Sequence, residues 1–223
     1  MKKHLWKLLI AAFAVTSAFT SHALAYSPND AINYAEQYAN SYNLLDSSGS
    51  GFNNYHPNDC TNFVSQCIYI GGLAQDTTWY SRVIYQGDRV IREDSLAWRV
   101  ANTFKNYLRD INGSTKIGSW SLLGSPQPYR TYQYVDNSNN LTTSNKGKVV
   151  LFYDWTGDGQ MNHAAFFVKN NGQSLHSSES GKVGDLVDQH SGLINKHILW
   201  RPDYRQATSQ RLTTRVYAFQ LNV

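Results

Sequence analysis

Asp59-Cys60-Thr61-Asn62-Phe63-Val64-Ser65-Gln66-Cys67-Ile68-Tyr69-Ile70, followed by Gly71-Gly72, is the stretch on which the fold turns. Cys60, Phe63, Val64, Cys67 and Ile68 recur at i, i+3, i+4, i+7 and i+8, the spacing of one apolar helix face. Asn58-Asp59 offers an N-cap and the glycine pair a stop, so the pattern predicts a helix from about Asp59 to Ile70. Upstream, Ser27-Pro28 is a cap followed by a first-turn proline, and Ala31, Ala35, Tyr38, Ala39 and Tyr42 carry a first helix to about Tyr42. Residues 46–54 form a Ser/Gly/Asn loop. Downstream of Ser95, a third helix places Ala97, Val100, Ala101, Phe104 and Leu108 on one face. Residues 110–146 read mostly as loop. The pattern then changes to short aromatic and β-branched segments at 149–155, 164–168, 174–176, 197–201 and 213–221, with Asp158-Gly159 as a hairpin-type turn between the first two. Helices first and antiparallel strands after make an α+β domain without internal repeats.

The 223 residues suffice for a packed core, and 41% hydrophobic against 16% charged describes a globular chain. Two cysteines exclude a disulfide-dense scaffold, a multi-cysteine zinc site and an iron–sulfur protein. The formal charge of +4 first suggests an anionic partner. Residues 1–25 remove that suggestion. Lys2, Lys3 and Lys7 precede the apolar run Leu8-Leu9-Ile10-Ala11-Ala12-Phe13-Ala14-Val15, and Ala23-Leu24-Ala25 supplies a signal-peptidase site. The run is short of the roughly 20 residues a bilayer span needs. An export signal over 1–25 and a domain over 26–223 are expected, periplasmic or secreted, with no membrane attachment after cleavage. Without the signal, 17 Lys and Arg face 16 Asp and Glu, so nucleic acid is not an expected partner.

In an exported chain two cysteines usually pair, but these two lie seven residues apart on one helix. Their Cα atoms are then about 10.5 Å apart at 1.5 Å per residue, beyond the ~7 Å a disulfide tolerates. Both thiols are expected to be free. Cys67, two turns in among Phe63, Val64 and Ile68, reads as core. Cys60 opens the helix, where unpaired backbone N–H groups and the helix dipole favour a thiolate, and it reads as a nucleophile.

The Asp59–Cys67 motif with Gly71-Gly72-Leu73 resembles the signature of the putative amidase domain family, exported or surface bacterial domains related to the NlpC/P60 and papain-like cysteine peptidases. Tyr34-Ala35-Glu36-Gln37-Tyr38-Ala39 resembles the family's opening helix, and Trp79 with Ala97-Trp98 its middle. Residues 152–165, Phe-Tyr-Asp-Trp-Thr-Gly-Asp-Gly-Gln-Met-Asn-His-Ala-Ala, resemble its strand–turn–strand with a histidine. Gly147-Lys148 and Asn162-His163 stand where the family usually has Gly-Asp and Asp-His. The resemblance implies a papain-like, NlpC/P60-like α+β fold, with the nucleophile helix packed on an antiparallel sheet.

A Cys–His hydrolase needs a base within reach of sulfur and a third group that fixes the imidazole. Of the histidines beyond the signal, His163 follows a turn at the start of an apolar strand and aligns with the family histidine. His176, on the next expected strand, is the candidate third group, with Ser177 and Ser178 as fallbacks. His56 is a candidate cleft residue, whereas His190 and His197 read as loop and strand residues without partners. Tyr55, Trp79 and Trp155 are candidates for an aromatic substrate wall. Residues 154–159 brush against a calcium loop, but position 3 is Thr156 and Ala165 stands at position 12, where a bidentate Glu belongs, so neither metal nor cofactor is expected. The expected activity is hydrolysis of a peptidoglycan stem-peptide or glycan–peptide amide through an acyl-enzyme at Cys60. An acyltransferase, a hydrolase or toxin acting on other proteins or small amides, and a non-catalytic binding module are the competing readings. Own-wall remodelling and antibacterial attack, the latter with or without an immunity protein, both stay open.

Overall fold

The computed structural model describes residues 25–121, 141–190, 196–200 and 213–223. The expected signal segment therefore lies almost wholly outside the described residues, and so does part of the expected 197–201 strand. Helix α1 (Pro28–Tyr38) is capped by Ser27, whose side chain accepts from the Asp30 N–H. It stops at Ala39, about a turn short of the expected Tyr42. Helix α2 (Cys60–Ile70) has the expected bounds. Tyr34 Oη donates to Gln66 Oε1 at 2.7 Å, tying α1 to α2.

An unexpected hairpin follows, β1 (Ser81–Gln86) paired antiparallel with β2 (Arg89–Asp94). Its strands carry several charged residues and show only partial burial, so no alternating apolar pattern announced them. The expected third helix is two pieces, α3 (Leu96–Arg99) and α4 (Ala101–Asp110), because Val100 takes an extended conformation at φ −121° and ψ 117°.

Residues 115–121, expected as loop, are strand β3 (Thr115–Ser121). The sheet continues with β4 (Val149–Asp154), β5 (His163–Gln173), β6 (Val183–Asp188), β7 (Ile198–Leu199) and β8 (Arg215–Gln220). It is antiparallel throughout, in the order β3-β8-β4-β5-β6-β7. The expected strand at 174–176 does not form. β5 runs on past Val168 to Gln173, with register shifts after Phe167 and Lys169, and its partner is β6. An α+β fold with antiparallel sheets is what the residues build.

Strand β4 is buried along its whole length because the sheet is covered on both faces. Val150 and Phe152 join Ala164 and Phe166 beneath the helices, while Leu151 and Tyr153 join Ala165 and Phe167 in a second cluster with Trp200. Under the helices Trp79 and Trp98 are fully buried with ring centroids 4.9 Å apart. Ser65, on α2, receives the Trp79 indole N–H at 3.0 Å and donates to the Trp98 carbonyl at 2.8 Å. Ser65→Ala leaves both buried groups unpaired and is expected to cost about 1–3 kcal/mol, read from urea unfolding. An unchanged midpoint would deny Ser65 this role.

Candidate active site

Cys60 is the first residue of α2 and is partly exposed, whereas Cys67 is buried; both thiols are free. Asp59 occupies the N-cap position, yet its side chain accepts from no backbone N–H of the helix. Its Oδ1 accepts from the Tyr55 N–H at 2.9 Å and from Asn62 Nδ2 at 2.8 Å, and its Oδ2 lies 2.6 Å from His190 Nδ1. The positive end of the helix dipole is thus left uncapped by side chains beside Cys60.

His163 opens β5, pairs with Tyr153 of β4, and is almost fully buried. Its Nε2 donates to Gln189 Oε1 at 2.6 Å, since a carbonyl oxygen only accepts; Nδ1 is then the nitrogen left for sulfur. Burial pushes the Cys60 thiol up. The attraction of a His163 imidazolium, hydrogen bonds from His163 and the Ala164 N–H, and the Thr61 hydroxyl reverse that and bring it down to about 7. In Cys67 burial and the neighbouring Asp188 carboxylate push the thiol well up, as expected of an inert core cysteine. Iodoacetamide labelling of Cys60 is expected to be half-maximal near pH 7, because the thiolate is the reactive form. His163→Ala removes the attraction that lowers it and moves the midpoint to pH 9 or above; identical profiles would uncouple the two side chains.

Residues 155–162 deliver His163 by a longer loop than the expected hairpin turn. The buried Asp154 carboxylate accepts from the Gly157 N–H at 2.6 Å and the Gly159 N–H at 2.8 Å, so it holds the loop from within. Asn162 closes it, donating its N–H to Tyr153 O at 2.8 Å and accepting the Trp155 N–H at 3.0 Å. Gly157 has φ 77°, and a Cβ there would lie 2.7 Å from Thr213 O, so only glycine fits.

Of the residues singled out from sequence, Cys60 and His163 meet. Trp155 stacks on His163 with centroids 5.8 Å apart and 21° between planes. Tyr55 holds Asp59 through its backbone and donates its hydroxyl to Asp94 Oδ2 at 2.7 Å. His176 does not join them. It follows the far end of β5, roughly 30 Å of extended chain from His163, and its Nδ1 accepts from the Ser178 N–H while capping the short 3-10 helix Ser177–Glu179. The fallback Ser177 and Ser178 belong to that same turn. Trp79 is core rather than cleft wall. His56 is exposed, 3.2 Å from Tyr42 Oη through Nδ1. His197 pairs with Glu36 at 3.2 Å, and His190 is buried against Asp59 and Phe63, so neither lacks a partner.

The dipeptide Gln189-His190, directly after β6, is what sequence reasoning missed. Its signal was the Val183–Asp188 run, masked by Gly184 and Asp185 and by ending β5 too early.

Residues 25–205 match the model of the putative amidase domain. The chain belongs to that family. Membership in the putative amidase domain family points to hydrolysis of amides. A curated relative, "Uncharacterized protein YhbB" of Bacillus subtilis strain 168, is 26% identical over 152 residues, which cover 66% of this chain and 38% of that protein. The chain therefore spans well under half the length of the relative it matches. No solved structure matches it.

Proposed function

We propose that this putative amidase domain is an exported cysteine amidase that hydrolyses peptidoglycan amide bonds through an acyl-enzyme on Cys60. The carrying observation is the Cys60–His163 pair at a helix start that no side chain caps, with the thiol drawn down to about 7 and the imidazole held by Gln189. Family membership supports an amide as the bond cleaved.

In the proposed reaction the Cys60 thiolate attacks the amide carbonyl carbon, forming a C–S bond and an oxyanion. The backbone N–H of Cys60, at the positive end of α2, stabilises that oxyanion. Collapse breaks the C–N bond as His163 gives its Nδ1 proton to the departing amine. His163 then takes a proton from water, hydroxide adds to the thioester, and the carboxylate leaves with Cys60 restored as thiolate. Gln189 Oε1 keeps Nε2 protonated throughout, so Nδ1 remains the exchanging nitrogen. Nucleophile helix against antiparallel sheet is the arrangement of papain-like and NlpC/P60-like enzymes, to which we assign the fold.

Residues 1–25 carry the features of an export signal, and peptidoglycan is the abundant amide polymer an exported bacterial hydrolase meets. Tyr55 and Trp155, beside Asp59 and His163, are the proposed aromatic contacts. The decisive experiment digests purified peptidoglycan with the 26–223 protein and maps the products by mass spectrometry. New amine and carboxyl ends at one amide bond are expected. A wall left intact by an enzyme whose Cys60 still labels at neutral pH would move the substrate to other peptides or small amides.

A further inference from the structure

Two dipeptides face each other across the site. Asp59-Cys60 begins α2, and Gln189-His190 follows β6. Gln189 reaches Cys60 through His163, and His190 reaches Asp59 directly, at 2.6 Å between Nδ1 and Oδ2. His190 Nε2 is also 2.8 Å from the Tyr38 carbonyl at the end of α1.

The hydrogen count is fixed by the partners. Tyr38 O only accepts, so Nε2 carries a hydrogen. Asp59 Oδ1 already receives two donors, so Oδ2 and Nδ1 share one further proton. His190 thus bonds at both nitrogens. Its ring stacks on Phe63 with centroids 4.2 Å apart and meets Tyr42 edge-on at 5.0 Å. It has little freedom to turn. A single peptide bond joins this anchored residue to Gln189, whose side chain holds His163.

We propose that His190 is a positioning residue, which acts through Gln189 to hold the His163 imidazole against Cys60. This rests on the Cys–His reading of the site. Gln189 sits where β6 has ended, past the Phe166–Asp188 pairing, so sheet hydrogen bonds no longer fix its backbone. The His190 anchor does that instead, bonding one residue beyond to both helix α1 and the start of α2. Without it, Gln189 Oε1 loses its fixed place 2.6 Å from His163 Nε2, and the imidazole loses its fixed tautomer and direction.

The test is a double-mutant cycle of His190→Ala and Gln189→Ala in the 26–223 protein, read by the iodoacetamide rate of Cys60 at pH 7 and by thermal stability. With Gln189 present, His190→Ala is expected to slow labelling at least tenfold. With Gln189 already alanine it should slow labelling less than twofold, while the loss of melting temperature is the same in both backgrounds. An equal slowing in both backgrounds would overturn the proposal, because His190 would then act through Asp59 or through the fold. So would no slowing in either. If the alanine protein does not fold, His190→Gln, which can donate to Asp59 or to Tyr38 O but not to both, enters the same cycle. Failure of the Cys–His reading shows separately, as wild-type Cys60 labelling with the pH midpoint of an ordinary thiol.

Discussion

Cys60→Ala is expected to release no new amine or carboxyl ends from peptidoglycan, a loss of at least ~10³-fold in rate. Cys60 supplies the electron pair for the proposed reaction, and Cys67 cannot replace it: it is fully buried, its thiol is pushed well up, and it lies two turns along α2. The fold should survive. Cys60 is partly exposed at the first position of α2, where alanine is a good helix former, so melting should shift by no more than about 2 °C. Activity within tenfold of wild type, in a protein this intact, would take the chemistry away from Cys60. His163→Ala should match it in activity, because an uncoupled thiol at pH 7 is mostly protonated and the leaving amine has no acid.

Asp188→Asn is expected to stabilise the protein at pH 8 and to change little at pH 4. Asp188 is fully buried, and burial pushes its carboxyl up to about 7 from an ordinary 3.8; the Glu36 charge adds to this, while the His197 N–H at 2.6 Å and Lys196 oppose it. Below about pH 4 the carboxyl is protonated in folded and unfolded chains alike, and its ionisation costs folding nothing. Between about pH 4 and 7 the unfolded chain ionises while the folded one keeps its proton, and stability falls by about 1.4 kcal/mol per pH unit. The accumulated cost is about 4 kcal/mol above pH 7. Asparagine never ionises and can still accept the His197 N–H, so the variant's advantage should grow across that window, as measured by urea unfolding at several pH values. A difference independent of pH would show that the folded-state carboxyl titrates normally.

The parts of the site that were legible in the sequence are those encoded locally. The period of Cys60, Phe63, Val64, Cys67 and Ile68 specifies α2, and the same period separates the two thiols. Ser27-Pro28 marks the start of α1 through a cap bond that spans three residues. The illegible parts depend on partners distant in the chain. β3 is a strand because β8, nearly a hundred residues later, pairs with it. The β1–β2 hairpin owes its place to Asn53, whose Nδ2 donates to Arg92 O and Asp94 Oδ2 at 2.8 Å each, rather than to an apolar face of its own. Asp59 looked like an ordinary cap, and only the fold reveals that His190, 131 residues away, has claimed its carboxylate. His176 drew the third role because it lay on the strand expected at 174–176, next after that of His163. A strand that crosses five residues further carries it away from the site.

The order of the sheet also bears on how the chain is made. β8, the latest of the described strands in chain order, lies inside the sheet between β3 and β4. Until it emerges, β3 has no neighbour and β4 presents an open edge, so the sheet cannot close co-translationally around its early strands. Without Arg215–Gln220 β3 has nothing to join it to the sheet, and truncation before Arg215 should yield a sticky, protease-sensitive chain instead of a smaller folded domain.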